Sequence, residues 1–402
     1  MKISFIVPSR NNIKYLKQCV KSIIDNYGTE HDVVLLDDAS TDGTWEWINS
    51  LPLDNIIKYR NEGPERVGHT ILYDIGVSLS KTEVFTIFHA DMITSPEHIP
   101  NSLKYLAPKT VVAATRIEPP LHPPGPEKIV KDFGMEPENF KWDEYYKFCK
   151  ENAPSMRGIS TKGIFAPWLM YKKDFEDING HDPLFAPMEL EDSDIFNRMH
   201  LAGYNLIQAR DSFVYHMTCR GSRFKNGLEI EKVIPLQDGT FWHKPKDSEE
   251  YTKLRQLKFR EWWRKWAMDV LHDNDMYPVV PSRIHKSAII YGCNINSLAT
   301  LEPWFDNIII DCDASSYIEQ EQPNTLYNLK DKINNLDATV NIRVTFNVSQ
   351  FTNKSYEVLK QMNFILSDAE EGASYEIDIF KIDVFKVVNM NTDLIKNLIG
   401  KK

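Results

Sequence analysis

Two adjacent carboxylates, Asp37 and Asp38, stand where the apolar run Val33 to Leu36 ends and the helix-starting residues Ser40, Thr41 and Asp42 begin. At the carboxyl end of a parallel strand such acids accept hydrogen bonds from a base N–H or from ribose hydroxyls, because ligands of open α/β sheets bind along that edge. The same acids also suit a helix N-terminus and its dipole, so alone they define either a nucleotide pocket or a cap. His89 and Asp91 follow the strand-like run VFTIF and bring an imidazole and a carboxylate to a second strand end. That pair offers ligands for a divalent ion that bridges a diphosphate. Glu191, Asp192 and Asp194 precede the amphipathic run to Ala202. A carboxylate there can take the proton of an attacking hydroxyl, and acids are also favoured electrostatically in a first helical turn. His216 ends the run SFVYH, with Arg220 and Arg223 close behind, and guanidinium planes match phosphate geometry.

The elements that must carry these residues alternate short apolar runs with helical patterns. Ile3 to Val7 reads as a strand, Ile13 to Asn26 as a helix and Val33 to Leu36 as a strand, which is a βαβ opening. A helix over Gly68 to Ser80, a strand over Val84 to Phe88 and another over Thr110 to Thr115 extend the pattern. The expected fold class is α/β with a mostly parallel, nucleotide-binding sheet. EPPLHPPGPE, from Glu118 to Glu127, is too rich in proline for a helix or a central strand and predicts a loop or lid. Ile164 to Met170 and Phe213 to His216 read as strands, and Glu191 to Ala202 as a helix ended by Gly203.

Composition sets limits on function. The chain has 402 residues, 42% hydrophobic and 26% charged, which suits a globular protein of two or three domains. With 47 Lys and Arg against 57 Asp and Glu, the formal charge is -10, so a broad polyanion surface is not expected and nucleic acid is the least expected partner. The five cysteines, Cys19, Cys149, Cys219, Cys293 and Cys312, lack CxxC spacing, which argues for a reducing compartment and against structural zinc. The opening strand is too short for a signal peptide and no segment reaches the length of a membrane span, so a cytoplasmic location is expected.

The order of these motifs resembles the family-2 glycosyltransferases of GT-A fold. The resemblance covers about residues 1 to 225 and rests on ISFIVPSRNN, VVLLDDASTDGT, GHTILYDIGVSLSKTEVFTIFHAD, INGHDPLFAPMELEDSDIFNRMHLAGY and the closing VYH. It implies that Pro8, Arg10 and Asn11, with Asp37 or Asp38, hold base and ribose. It also implies that Asp91 and His216 bind Mn²⁺ or Mg²⁺, with His89 standing where the family pattern begins with Asp. Asp192 is then the expected general base, with Glu191 orienting it or binding an acceptor hydroxyl. Arg220 and Arg223 would clamp the diphosphate, and Arg66 and Asp74 are further candidates near diphosphate or sugar, in a stretch that also holds Gly68 and His69. Trp142, Tyr145, Tyr146 and Trp168 would either stack on an acceptor sugar or lie in the core.

The implied activity is metal-dependent, inverting transfer of a sugar from a nucleoside-diphosphate sugar, UDP- ahead of GDP-, to a glycan, lipid-linked saccharide or protein hydroxyl. A catalytically inactive carbohydrate- or nucleotide-sugar-binding protein is the rival reading. A nucleotidyltransferase is less favoured, because SRNNIKY is not a glycine-rich basic loop. The expected organisation is a catalytic domain over 1–240, a tryptophan-rich helical connector over 241–280 and an α/β or α+β accessory domain over 281–402. Acceptor binding and homo-oligomerisation are open roles for the last of these.

Overall fold

The computed structural model describes residues 1–220, 223–224, 228–237, 239–335 and 338–396. The described residues divide into two compact units, one within 1–252 and 272–278 and the other within 253–271 and 279–396. The helix Glu249–Trp266 therefore starts in the first unit and belongs to the second from Lys253 onward.

In the first unit ten strands form one sheet: β1 (Ser4–Ser9), β2 (Asp32–Asp38), β3 (Ile56–Asn61), β4 (Val84–Ile87), β5 (Met92–Thr94), β6 (Thr110–Glu118), β7 (Lys128–Val130), β8 (Ser160–Lys162), β9 (Trp168–Tyr171) and β10 (Asn205–His216). The main path runs β3-β2-β1-β4-β9-β6-β10-β5, with β7 on β6 and β8 on β10. The β3-β2-β1-β4 half is parallel throughout, and β6 and β10 are parallel to each other. Antiparallel β9 enters between β4 and β6, so the sheet is mixed on this side. Every residue of β1 and β2 is buried, as expected of unbroken apolar runs covered by helices on both faces.

The expected helices form at Ile13–Tyr27, His69–Leu79 and Glu191–Leu201. Asp42 serves two helix starts at once, accepting from Ile13 N at 3.0 Å and from Thr44 N at 3.1 Å. The strand expected over Phe213 to His216 is the end of a longer one, and the one expected over Ile164 to Met170 starts only at Trp168. Trp168 and Tyr145 are core residues, and Trp142 and Tyr146 pack beside Tyr145, so none of the four walls the cavity described below. A two-stranded hairpin, β11 (Ile230–Pro235) with β12 (Phe241–Pro245), completes this unit.

The second unit holds a sheet of β13 (Ser287–Tyr291), β14 (Asn307–Ile310), β15 (Ile342–Asn347), β16 (Ser374–Ile377) and β17 (Phe380–Val384) in the order β14-β13-β15-β17-β16. The first three are parallel and the last two form an antiparallel hairpin. At its centre Arg264 pairs with Glu302 at 2.7 Å and Glu321 at 2.8 Å, and Lys332 completes the buried set.

Candidate active site

The carboxyl ends of β1, β2, β4 and β10 open into one cavity of about 230 Å³. Of the residues singled out in the sequence, Pro8, Arg10, Asp38, Arg66, His69, His89, Asp91, His216, Arg220 and Arg223 line it. Asn11, Asp37, Asp74, Glu191 and Asp192 do not. Asn11 instead accepts from Thr41 N at 2.7 Å and donates its own N–H to Ser40 Oγ at 2.9 Å, tying the turn after β1 to the turn after β2. Asp37 is fully buried, 3.7 Å from the Arg60 guanidinium, and burial raises its pKa.

Asp38 is spent on the backbone. Its carboxylate accepts from Val67 N and Gly68 N at 2.9 Å and from Asn61 Nδ2 at 2.8 Å, which folds the 61–68 loop over the cavity. Gly68 has φ of 87°, and a Cβ there would lie 1.9 Å from Pro187 O, so this loop and the 186–190 segment are in direct backbone contact. Asp74 holds the next turn: it accepts from His181 N and lies 2.7 Å from His181 Nδ1.

His89, Asp91 and His216 each offer one ligating atom, and these atoms lie within 4.8 Å of one another. Their positions follow from the strands. His89 and Asp91 sit in the turn between β4 and β5, and β5 pairs antiparallel with β10 so that His216 lies opposite Met92. His216 Nε2 is 3.4 Å from Asp91 Oδ1, and its Nδ1 is 2.8 Å from Glu118 Oε1. Burial pushes the His89 imidazole down to about 3, and the neighbouring His216 charge adds to the shift. Burial acts to lower His216 as well, but the two carboxylates reverse it and take the pKa up to about 9. The mixed imidazole and carboxylate donor set, with His89 neutral, fits a divalent transition metal.

The basic wall is pre-oriented. Arg220 donates from Nη1 to Thr218 O and Cys219 O, both at 3.1 Å, and from Nη2 to Met135 O. Its Nε is buried without a hydrogen-bond partner among the described residues. Arg223 grips Asp247 through Nε at 2.5 Å and Nη2 at 3.2 Å and lies over the Tyr251 ring. Thr218 and Cys219 both have positive φ, which turns the chain sharply after His216 and brings Arg220 back to the cavity.

The Glu191-Asp192 pair lies behind the cavity wall: His69, which lines the cavity, has its Nε2 2.6 Å from Glu191 Oε1. Glu189 and Leu190 precede it with φ of 87° and 69°, a strained entry to the helix. Burial would raise Glu191, but the His69 charge reverses this and holds it below the ordinary range. Asp192 lacks that partner, and burial together with the Glu191 charge pushes it up to about 7. Asp194 turns away from both to a fully buried ion pair with Arg198 at 2.8 Å.

Sequence reasoning passed over Glu118 and His122. His122 lines the cavity and lies 3.0 Å from Thr218 Oγ1, and a histidine inside a proline-rich loop was the available signal. Glu118 carried none, since only the pairing of β6 with β10 brings it to His216.

The sheet edge of the first unit thus gathers a His-Asp-His cluster and guanidinium groups on one cavity, with a carboxylate pair behind its wall. Residues 4–176 match the model of glycosyl transferase family 2. A glycosyltransferase of Streptococcus pneumoniae serotype 4, GlyG, is 31% identical over 98 residues, covering 24% of this chain. The chain spans about a third of the length of that curated relative. Among solved structures, GalNAc-T7 with UDP, GalNAc and Mn²⁺ aligns at a TM-score of 0.41 and 16% identity, over 54% of this chain and 44% of its own. Mannosyltransferase PcManGT from Pyrobaculum calidifontis with GDP-Man and Mn²⁺ aligns at 0.40 and 16% identity, over 65% and 63%. Among the described residues no helix is long and apolar enough to cross a membrane.

Proposed function

We propose that this protein is a metal-dependent, inverting glycosyltransferase that moves a sugar from a nucleoside-diphosphate donor, UDP- ahead of GDP-, to a hydroxyl of a glycan, lipid-linked saccharide or protein acceptor. The observation that carries the reading is the convergence of the His89-Asp91-His216 cluster, Arg220 and Arg223 on one cavity in a family-2 domain, with the carboxylate pair one hydrogen bond behind its wall. His89, Asp91 and His216 would hold a divalent cation, which when bound neutralises the charge that develops on the leaving diphosphate.

Asp192 takes the proton of the acceptor hydroxyl as that oxygen forms its bond to the anomeric carbon. The bond from that carbon to the diphosphate breaks on the opposite face, and the electron pair leaves with the nucleotide, so the configuration inverts. Glu191, whose Oε2 is buried without a hydrogen-bond partner among the described residues, is available to accept from an acceptor hydroxyl. Arg220 and Arg223 face the departing phosphates as fixed donors, which act without reorganisation in a site shielded from water. His69 carries the charge that keeps Glu191 ionised while Asp192 titrates near neutrality.

A thermal-shift panel of UDP, GDP, CMP and their common sugar conjugates, with and without Mn²⁺, tests the reading, because a ligand that binds only the folded state raises its stability. A Mn²⁺-dependent shift with a nucleoside diphosphate, followed by release of that diphosphate on turnover, is expected. Stabilisation by a nucleotide sugar with no release of diphosphate on any acceptor class would overturn the catalytic reading in favour of a binding protein.

A further inference from the structure

Glu118 ends β6 and is 1% exposed, yet it lies beside His216 only because of an irregularity in the sheet. Ala209 of β10 pairs with Ala114 of β6, but Phe213 pairs with Thr115, so residues 210–212 bulge out of the ladder. After the bulge the register runs on through Val214 with Arg116 and Tyr215 with Ile117, which brings Glu118 level with His216. Glu118 Oε1 then lies 2.8 Å from His216 Nδ1 while the other ring nitrogen, Nε2, faces Asp91.

We infer that Glu118 is a positioning residue for the cation site: by accepting from His216 Nδ1–H it fixes the ring so that Nε2 is the nitrogen presented to a divalent metal. The inference rests on the metal-dependent reading of the site. Histidines that bind metals commonly donate their second N–H to a carboxylate, which sets the tautomer and raises ligand basicity.

Glu118 is itself anchored independently of His216. Arg116 lies 3.3 Å from Oε1 and Lys128 lies 3.2 Å from Oε2, while Glu127 sits 3.5 Å from each of those two cations. Two acids and two bases balance, so the carboxylate has counterions without the histidine. The proline-rich segment thus contributes at both ends, Glu118 and Glu127, and in its middle, where His122 lies within hydrogen-bond distance of Thr218 beyond His216.

The test is Mn²⁺ binding to the full chain, read from the electron paramagnetic resonance signal of free Mn²⁺ alongside circular dichroism as a fold control. Glu118→Ala is expected to weaken Mn²⁺ binding about 10- to 100-fold. Glu118→Gln, which keeps an acceptor but loses the charge, should fall between it and wild type, and carries the test if the alanine variant does not fold. Glu127→Gln disturbs the same charge network without touching His216 and should bind as wild type does. Unchanged affinity in a folded Glu118 variant, or an equal loss in Glu127→Gln, overturns the assignment while leaving the cation site standing. Absence of Mn²⁺ binding by the wild-type chain overturns the metal reading and this inference together.

Discussion

His69 and Glu191 meet at 2.6 Å, and this contact separates the behaviour of two adjacent carboxylates. Glu191 is held ionised by its imidazolium partner, whereas Asp192 bears burial and the Glu191 charge without one. Neighbouring titratable groups driven apart in this way mark out acid and base roles. Turnover is therefore expected to rise with pH and level off once Asp192 has ionised, near neutrality. Asp192→Asn should lower kcat by about 10²- to 10⁴-fold with nucleotide affinity unchanged. His69→Ala removes the positive charge that favours ionised Asp192, so the acid limb of the pH–rate profile should move upward. A wild-type profile flat from pH 5 to 8 would reject Asp192 as the base.

The same shift has a consequence for stability. The folded-state pKa of Asp192 lies above its unfolded value of 3.8, so the native protein holds a proton that the unfolded chain releases. Stability from this group is complete below pH 4 and is lost as pH rises toward 7, because ionisation leaves a buried charge beside Glu191. Asp192→Asn should thus melt higher than wild type at pH 8, with the difference closing toward pH 4. Thermal melts across that range decide it, and a constant difference would show that Asp192 ionises normally.

Removal of a cation ligand should separate folding from nucleotide binding. Asp91→Ala and His216→Ala are each expected to abolish the Mn²⁺-dependent rise in Tm with nucleoside diphosphate, since binding to the folded state is what produces that rise. Chelation of the wild type with EDTA should reproduce the loss, and Mn²⁺ should restore it. Retention of the full Mn²⁺ effect in both variants would make the cluster a hydrogen-bonded core rather than a ligand set.

Much of this arrangement is legible in the sequence because local patterns carry it. The apolar runs of β1 and β2, the acids at their ends and the helix starting at Glu191 all follow from residues close in the chain. What escaped depends on pairing between distant segments. Both Asp38 oxygens accept from the 61–68 loop, and Asn11 is tied to a turn thirty residues away. Glu118 reaches His216 through a bulge that no local pattern announces. The aromatic residues after Phe140 suit a sugar platform but more commonly form core, and packing against Phe133 and Tyr215 decides for the core.

Gly68 tests how tightly the two site loops are coupled. An added Cβ would clash with Pro187 backbone and would also have to accept φ of 87°, so the cost includes both sterics and conformation. Gly68→Ala should destabilise the protein by more than about 1 kcal/mol. Because Gly68 N donates to Asp38 and His69 follows directly, nucleotide affinity and turnover should fall together. An alanine variant with wild-type Tm and kinetics would show that the loops separate freely.

The buried Asp194 and Arg198 pair lies on the same helix as Glu191 and Asp192. Arg198 is fully buried and also donates to Ile178 O at 3.0 Å and Gly180 O at 2.6 Å, so it joins the helix of Glu191 to the turn that Asp74 holds from the other side. Loss of one member of such a pair leaves an uncompensated charge and typically costs about 3–5 kcal/mol. Arg198→Met should reach that range, because it removes the guanidinium that faces Asp194 and donates to two carbonyls, and Asp194→Asn should cost less, since an amide oxygen can still accept from the guanidinium. Chemical denaturation gives the energies, and the kinetics of the surviving variant separate the roles. If Asp194→Asn folds yet loses turnover with its pH profile shifted, the pair sets the position of Asp192. If only stability changes, the helix start is fixed by the strained Glu189-Leu190 entry alone.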